Sequence, residues 1–208
     1  MTSLALLYND SHVLENHHLA LAFNIINNKA YNVFAAWKTE ERRRARKLMI
    51  ASVLATDMEM HASLQAELVR RSSGSAATAA AASSKKFDLG CDKAMLFQCV
   101  LHAADISNPT RRFATSASIS MLAITEFNQQ AVAEAAQGLP VTAHMVALDH
   151  AAKCKGEAGF AQFVARPYFA ALLNCFPATD TASQLLQTID DNVERWKAQA
   201  LLPSLQLQ

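Results

Sequence analysis

Three short polar clusters interrupt the apolar stretches of this 208-residue chain. The first is Glu15-Asn16-His17-His18. Asp57 and His61 form the second, four residues apart, a spacing that puts two side chains on one face of a helix. The third is His102, Asp105 and Asn108, at successive three-residue steps. Imidazoles and carboxylates on inward stripes of a helical bundle build metal sites from facing helices. Such a set suits zinc, magnesium or manganese, and the chemistry it serves is attack of a metal-activated hydroxide on a phosphorus or carbonyl centre. Taken one at a time, each His or Asp is better explained as a group hydrogen-bonded inside the core or partly exposed.

The elements that must position them read as helices. Only five Gly and five Pro punctuate the sequence, and its apolar residues recur at spacings of three and four rather than two, so an all-α bundle is expected. A helix is predicted from an Asp10/Ser11 cap through Val13, Leu19, Phe23 and Ile26 to the Asn27/Asn28 pair. A second starts near Thr39, with Glu40 and Glu41 in its first turn, and runs through Leu48 and Leu54 toward His61. Its basic run, Arg42 to Lys47, reads as a solvated face paired with those glutamates, because no aromatics are interleaved as in a nucleic-acid surface. Residues 72–84, rich in Ser and Ala, form a low-complexity surface insertion with no side chain large enough to anchor a core. Helices around Met95 to Ala104 and Met121 to Ala136 follow, separated by a break at Asn108-Pro109. A segment led by Pro167 and a stripe of Leu185, Leu186, Ile189, Val193 and Trp196 supply the last two.

Composition narrows the function. With 51% apolar and 18% charged residues the chain can bury a core, and a net charge of +1 gives no general attraction to nucleic acid or anionic membranes. No apolar run reaches the ~18 residues of a spanning helix, and the first ten residues, running straight into Asn9 and Asp10, lead us to expect no secretory leader. Cys91, Cys99, Cys154 and Cys175 are widely spaced, so reduced thiols in a soluble, intracellular, cytoplasmic protein are expected. Oligomeric state is left open by the sequence.

Four ordered blocks carry a family resemblance. Tyr8-Asn-Asp-Ser-His-Val-Leu-Glu-Asn-His-His18, Ala55-Thr-Asp-Met58 with His61, and Leu101-His-Ala-Ala-Asp-Ile-Ser-Asn-Pro-Thr-Arg111 resemble motifs of the class I cyclic nucleotide phosphodiesterases. So does Gly159-Phe160 through Arg166-Pro167-Tyr168-Phe169, with Asp191-Asn192 and Trp196. The resemblance implies an all-helical catalytic domain that hydrolyses 3',5'-cyclic nucleotides, cAMP or cGMP, to 5'-monophosphates in cyclic-nucleotide signalling. It also implies two divalent metals as cofactors, zinc with magnesium or manganese. On the matching positions, Asp105 is the metal-ligating aspartate, Asn108 faces the purine, Ile106 is an apolar wall beside it, and Phe160 clamps the base. Asp57 and Met58 line the pocket near the second metal.

Departures from the family pattern matter as much. The family's His-Asn-x-x-His and His-Asp segments lie upstream of the Tyr-Asn-Asp block and are not in this sequence. The general-acid histidine belongs to that upstream part, so no catalytic residue is assigned here, and Asp105 alone remains of the four protein metal ligands. One carboxylate does not hold two divalent ions. The expectation is therefore a partial phosphodiesterase domain over residues 1–208, truncated on its N-terminal side, with Met1 an internal methionine of a longer reading frame. The alternative is a non-catalytic pseudoenzyme or fragment that binds nucleotide or a partner. Glu157 stands where the family has its purine-selecting glutamine, an acceptor-only carboxylate in place of an amide that both donates and accepts. Ile119 occupies a position usually Trp, and His12 replaces a serine that would form a capping box with Glu15.

Overall fold

The computed structural model describes residues 2–73, 87, 92–142, 145–146 and 149–202. The chain divides into two compact units, 1–105 and 106–208. Among the described residues both are helical, without strands, as the apolar spacing requires.

In the first unit a short helix, α1 (Ser3–Tyr8), is capped by the Thr2 hydroxyl, which accepts from the Ala5 N–H. It precedes α2 (Val13–Asn27). The predicted Asp10/Ser11 cap is corrected: His12 is the N-cap residue, it makes no capping hydrogen bond, and Asn9, Asp10 and His12 all have positive φ. Asn and Asp tolerate that left-handed geometry through local hydrogen bonds of their short side chains, so the connection turns without glycine. α3 (Thr39–Leu54) begins where the glutamates predict, Glu41 accepting the Lys38 N–H at 2.7 Å. Its arginines behave as a solvated face. Arg43 and Arg44 lie 3.7 and 3.9 Å from Glu40, all exposed, and the Arg46 guanidinium lies over the Phe23 ring of α2.

α3 does not run on toward His61. The Thr56 hydroxyl donates to the Val53 carbonyl, Asp57 accepts the Glu59 N–H, and a 3-10 turn at Met58–Met60 intervenes before α4 (His61–Ser72). Asp57 and His61 therefore do not share one helix face. α5 (Lys93–Asp105) packs on α3, burying Cys99, His102 and Ala103. Arg71 at the end of α4 pairs with Glu67 at 2.7 Å and with Asp92 at 2.8 Å, just before α5, and lies over the Phe87 ring. The predicted insertion begins at Ser72, the last residue of α4; its residues 74–84 lie outside the described residues, as does Cys91.

The second unit opens with Ile106 and a 3-10 turn at Asn108–Thr110, so Asn108 leaves the helix that carries His102 and Asp105. Pro109 explains the break, since it excludes the residue before it from the helical region. α6 (Phe113–Ala136) ends before Gly138, whose φ of 69° permits the left-handed turn that closes a helix. α7 (His150–Gly159) passes without interruption through a π segment (Phe160–Ala165) into α8 (Arg166–Leu173). The Pro167-led helix thus begins well upstream of Pro167. A proline ring clashes with the carbonyl four residues back, and a widened turn before it is one way a helix continues past. α9 (Asp180–Ala200) packs against α7, the π segment, α8 and the Asn108 turn. Tyr168, Ala165 and Ile189 are fully buried, and Phe113 meets Trp196 edge-on at 5.0 Å beside Cys154 and Ala158.

Candidate functional site

In the second unit a chain of hydrogen bonds joins three elements. The Asn108 side-chain nitrogen donates to the Ser116 carbonyl at 3.1 Å and to the Ser120 hydroxyl at 3.0 Å. Ser120 in turn donates to a carboxyl oxygen of Glu157 in a short bond. Asn108 and Glu157, 49 positions apart in sequence, are thus linked through one hydroxyl of α6. Ser116 and Ser120 are each 1% exposed, four residues apart on the face α6 buries. Burial raises the pKa of Glu157, and the Ser120 hydroxyl pulls it back down. Phe160 stands three residues beyond Glu157, one helical turn on, at the first position of the π segment. π segments occur often at functional sites, because the widened turn re-aims the side chains it carries.

α9 fixes the turn that carries Asn108. Asn192 is 2% exposed and its side-chain nitrogen donates to the Pro109 carbonyl at 2.9 Å and the Arg111 carbonyl at 2.7 Å. Both carbonyls lie in or beside the Asn108 turn, and without Asn192 they would lose their donor. One atom of Asn108 is left over: Oδ1 is buried and has no hydrogen-bond partner. Ile106, two residues before, is 5% exposed and belongs to the core.

In the first unit the expected residues sit differently. Asp57 accepts from His12 Nδ1 at 2.7 Å, and Glu59 is near enough that all three offer ligand atoms within 4.8 Å of one another. Burial raises the Asp57 pKa, but the Glu59 N–H and His12 outweigh it and hold the carboxyl below the ordinary carboxylate value. This imidazole and carboxylate cluster is able to take a divalent cation, and it is the one such group among the described residues. Met58 beside it is 49% exposed. His61 Nδ1 lies 2.9 Å from His102 Nε2, and His102 Nδ1 donates to the Ala55 carbonyl at 2.9 Å, which accounts for both histidines as structural groups. His17 meets the Tyr8 ring edge-on. Asp105 closes α5, is exposed, and joins no group of three ligands among the described residues. The residues around it do not fit a two-metal centre, since a closed divalent site takes three or four protein ligands. A cavity of about 400 Å³ opens elsewhere, lined by Phe23 and Asn27 of α2, Phe34, and Arg42 and Arg46 of α3; none of the expected site residues lines it.

Sequence reasoning named Asn108 and Glu157 but missed the hydroxyl between them, and it missed His12 as the partner of Asp57. Ser116 and Ser120 at helical spacing in an apolar helix were the available signal for the first. Asn192, in register with Ile189, Val193 and Trp196 on the buried stripe of α9, carried a similar one.

Comparison with known proteins bears on what this arrangement is for. Residues 1–187 match the family model described as 3'5'-cyclic nucleotide phosphodiesterase. The mouse 3',5'-cyclic-AMP phosphodiesterase 4C is 32% identical over 197 residues, 95% of this chain and 28% of that protein. Isoform F of the Drosophila melanogaster 3',5'-cyclic-AMP phosphodiesterase is 30% identical over 202 residues, 97% of this chain and 30% of that one. The chain thus spans less than a third of the length of these two curated relatives. The crystal structure of the phosphodiesterase domain of the RhoPDE fusion protein from the choanoflagellate Salpingoeca rosetta superposes with a TM-score of 0.85 at 34% identity, covering 96% of this chain and 60% of that one. With nearly nine-tenths of its length inside the family model and the helical fold shared, the chain belongs to the 3',5'-cyclic nucleotide phosphodiesterase family.

Proposed function

We propose that this chain recognises 3',5'-cyclic purine nucleotides through Asn108, Glu157 and Phe160, and that it serves hydrolysis of cAMP or cGMP to the 5'-monophosphate in a polypeptide that supplies the remaining metal ligands. The observation that carries the reading is the hydrogen-bond chain Asn108–Ser120–Glu157, which holds two polar side chains in fixed orientation one helical turn from an aromatic ring. An apolar clamp with a few fixed polar groups is what a planar heterocycle needs: stacking supplies affinity and the polar groups supply choice. In the hydrolysis, a water oxygen bonds to phosphorus, the phosphorus–O3' bond breaks, and the released 3' oxygen takes up a proton. Asp105 is the residue of this chain assigned to the family's metals, zinc with magnesium or manganese. Ile106 and Met58 are assigned as apolar lining and Asp57 as a group near the second ion.

A second reading, nucleotide binding without turnover, is favoured by Asp105 joining no group of three ligands among the described residues. Two measurements separate them, the first on the 208-residue chain. Isothermal titration with cAMP and cGMP is expected to give saturable binding that weakens by about tenfold in Asn108→Ala, the loss of one well-placed polar contact. Absence of binding by either nucleotide overturns the proposal. In a longer polypeptide that supplies the remaining metal ligands, turnover of bound nucleotide in the presence of Zn²⁺ and Mg²⁺, abolished in Asp105→Ala, supports hydrolysis, and binding without turnover there supports the second reading.

A further inference from the structure

The basic run that opens α3 divides in the fold. Arg43 and Arg44 lie beside Glu40, and Glu41 is spent on the Lys38 N–H. Arg42 and Arg46, four residues apart and so on one face of the helix, have no carboxylate partner among the described residues. Both line the cavity of about 400 Å³ formed by α2, α3 and the loop joining them, and no Asp or Glu lines it with them. Two guanidiniums without a counter-charge give a concave site a positive field that draws anions.

The rest of the lining supplies different chemistry. The Arg46 guanidinium rests 3.8 Å over the Phe23 ring, a contact that holds it in place before any ligand arrives. Phe34 comes from the loop and is braced by Trp37, with ring centroids 4.8 Å apart. The Phe34 N–H donates to Asn32 Oδ1 at 3.0 Å, which leaves the Asn32 side-chain nitrogen to donate in turn. Asn24 and Asn27 add two more carboxamides, each both donor and acceptor. The cavity thus combines a charged pair for an anion, aromatic rings for a flat group, and carboxamides of the kind that pair with the edge of a heterocycle. Its volume exceeds what inorganic phosphate needs and falls within the range of about 300–1,000 Å³ that holds small organic ligands.

We propose that this cavity binds a nucleoside 5'-monophosphate, with the phosphate on Arg42 and Arg46 and the base against Phe23 and Phe34, its edge turned to the carboxamides. A phosphate monoester carries about 1.5 to 2 negative charges at pH 7, which two guanidiniums balance, whereas a cyclic diester carries one. Guanidinium meets phosphate oxygens in paired, charge-assisted hydrogen bonds, so the anion is held by direction as well as by charge. The cavity uses none of Asn108, Ser120, Glu157 and Phe160 and stands apart from the proposed recognition of cyclic nucleotides. Its ligand class is the one that the proposed hydrolysis releases.

The test is isothermal titration of the intact chain with 5'-AMP, adenosine and inorganic phosphate, repeated on Arg42→Gln and Arg46→Gln. Expected is 5'-AMP tighter than adenosine or phosphate alone by about tenfold or more, and weaker by about tenfold or more in each arginine variant, the loss of a hydrogen-bonded charge. The Arg42 side chain makes no hydrogen bond or ion pair among the described residues, so Arg42→Gln is expected to keep the fold. Arg46→Gln also gives up the Phe23 ring, and circular dichroism checks that it is folded. No binding of 5'-AMP, or an affinity unchanged in folded Arg42→Gln, overturns the inference. Inorganic phosphate binding as tightly as 5'-AMP shows an anion patch without a place for the base and overturns it too. Titration with cAMP, and its weakening in Asn108→Ala, decides the recognition of cyclic nucleotides whichever way these results fall.

Discussion

Burial, more than their mutual contact, disfavours protonation of His61 and His102. His102 donates from Nδ1 to the Ala55 carbonyl, which leaves its Nε2 to accept from His61 Nδ1. Burial holds the pKa of both below the usual imidazole value; the neighbouring charge of His102 adds to the effect on His61, while Ala55 and Asp105 oppose it on His102. The unfolded chain takes up these protons near pH 6.5, whereas the folded one resists until lower pH. The stability they contribute is therefore intact above about pH 6.5 and is lost as the pH falls through the folded values. The melting temperature of the wild type should fall more steeply between pH 7 and pH 5 than that of His61→Gln, which has no imidazole there to charge. Parallel pH profiles by circular dichroism would show that the pair is not the titrating element. The same residue-scale reading explains His12. It lacks the cap that serine would give, worth about 0.5–2 kcal/mol, but its ring is spent on Asp57, a contact 45 positions away that no local pattern reveals.

Between elements, Asn192 is the connection most open to test. Its amide holds the Pro109 and Arg111 carbonyls, and with them the turn that presents Asn108. Asn192→Ala should lower the free energy of urea unfolding by about 1–3 kcal/mol, the cost of leaving buried acceptors without a donor. It should also weaken cyclic nucleotide binding, although Asn192 bonds only to backbone carbonyls of that turn. Unchanged affinity in a folded variant would mean the turn holds its shape by itself. Most of the helices were legible in sequence because burial imposes their period: the stripe of Ile189, Val193 and Trp196 is α9, and α6 and α5 follow similarly. The six residues of α1 are too few to show a period, and the stop after Leu54 was hidden because side-chain hydrogen bonds of Thr56 and Asp57 end α3, without glycine or proline. In the site, residue types in motifs pointed to Asn108 and Glu157. Ser120 escaped because a serine in a helix carries no motif, and its meaning lies in what it touches.

At the scale of the molecule, apolar side chains on α1 and α2 decide behaviour in solution. Leu6, Leu7, Leu14 and Ile25 are each more than half exposed, and Leu21 nearly so. Clustered apolar exposure promotes association. The chain should elute as oligomers by light scattering at tens of micromolar and bind a hydrophobic dye, and Leu14→Glu combined with Leu21→Lys should reduce both. A monomeric wild type that leaves the dye dark would contradict this. No helix among the described residues is long and apolar enough to cross a membrane.

The π segment between α7 and α8 carries a consequence for how this sequence can change. A helix advances about 100° per residue, so a widened turn that takes in an extra residue sets everything after it at a new angle. Tyr168, fully buried in α8, and Phe160 at the start of the π segment keep their present directions only while that count is kept. Replacing a side chain between them alters one contact, whereas removing a single residue would swing the whole of α8 by more than a quarter turn. Over evolutionary time this stretch is free to vary in letters far more than in length.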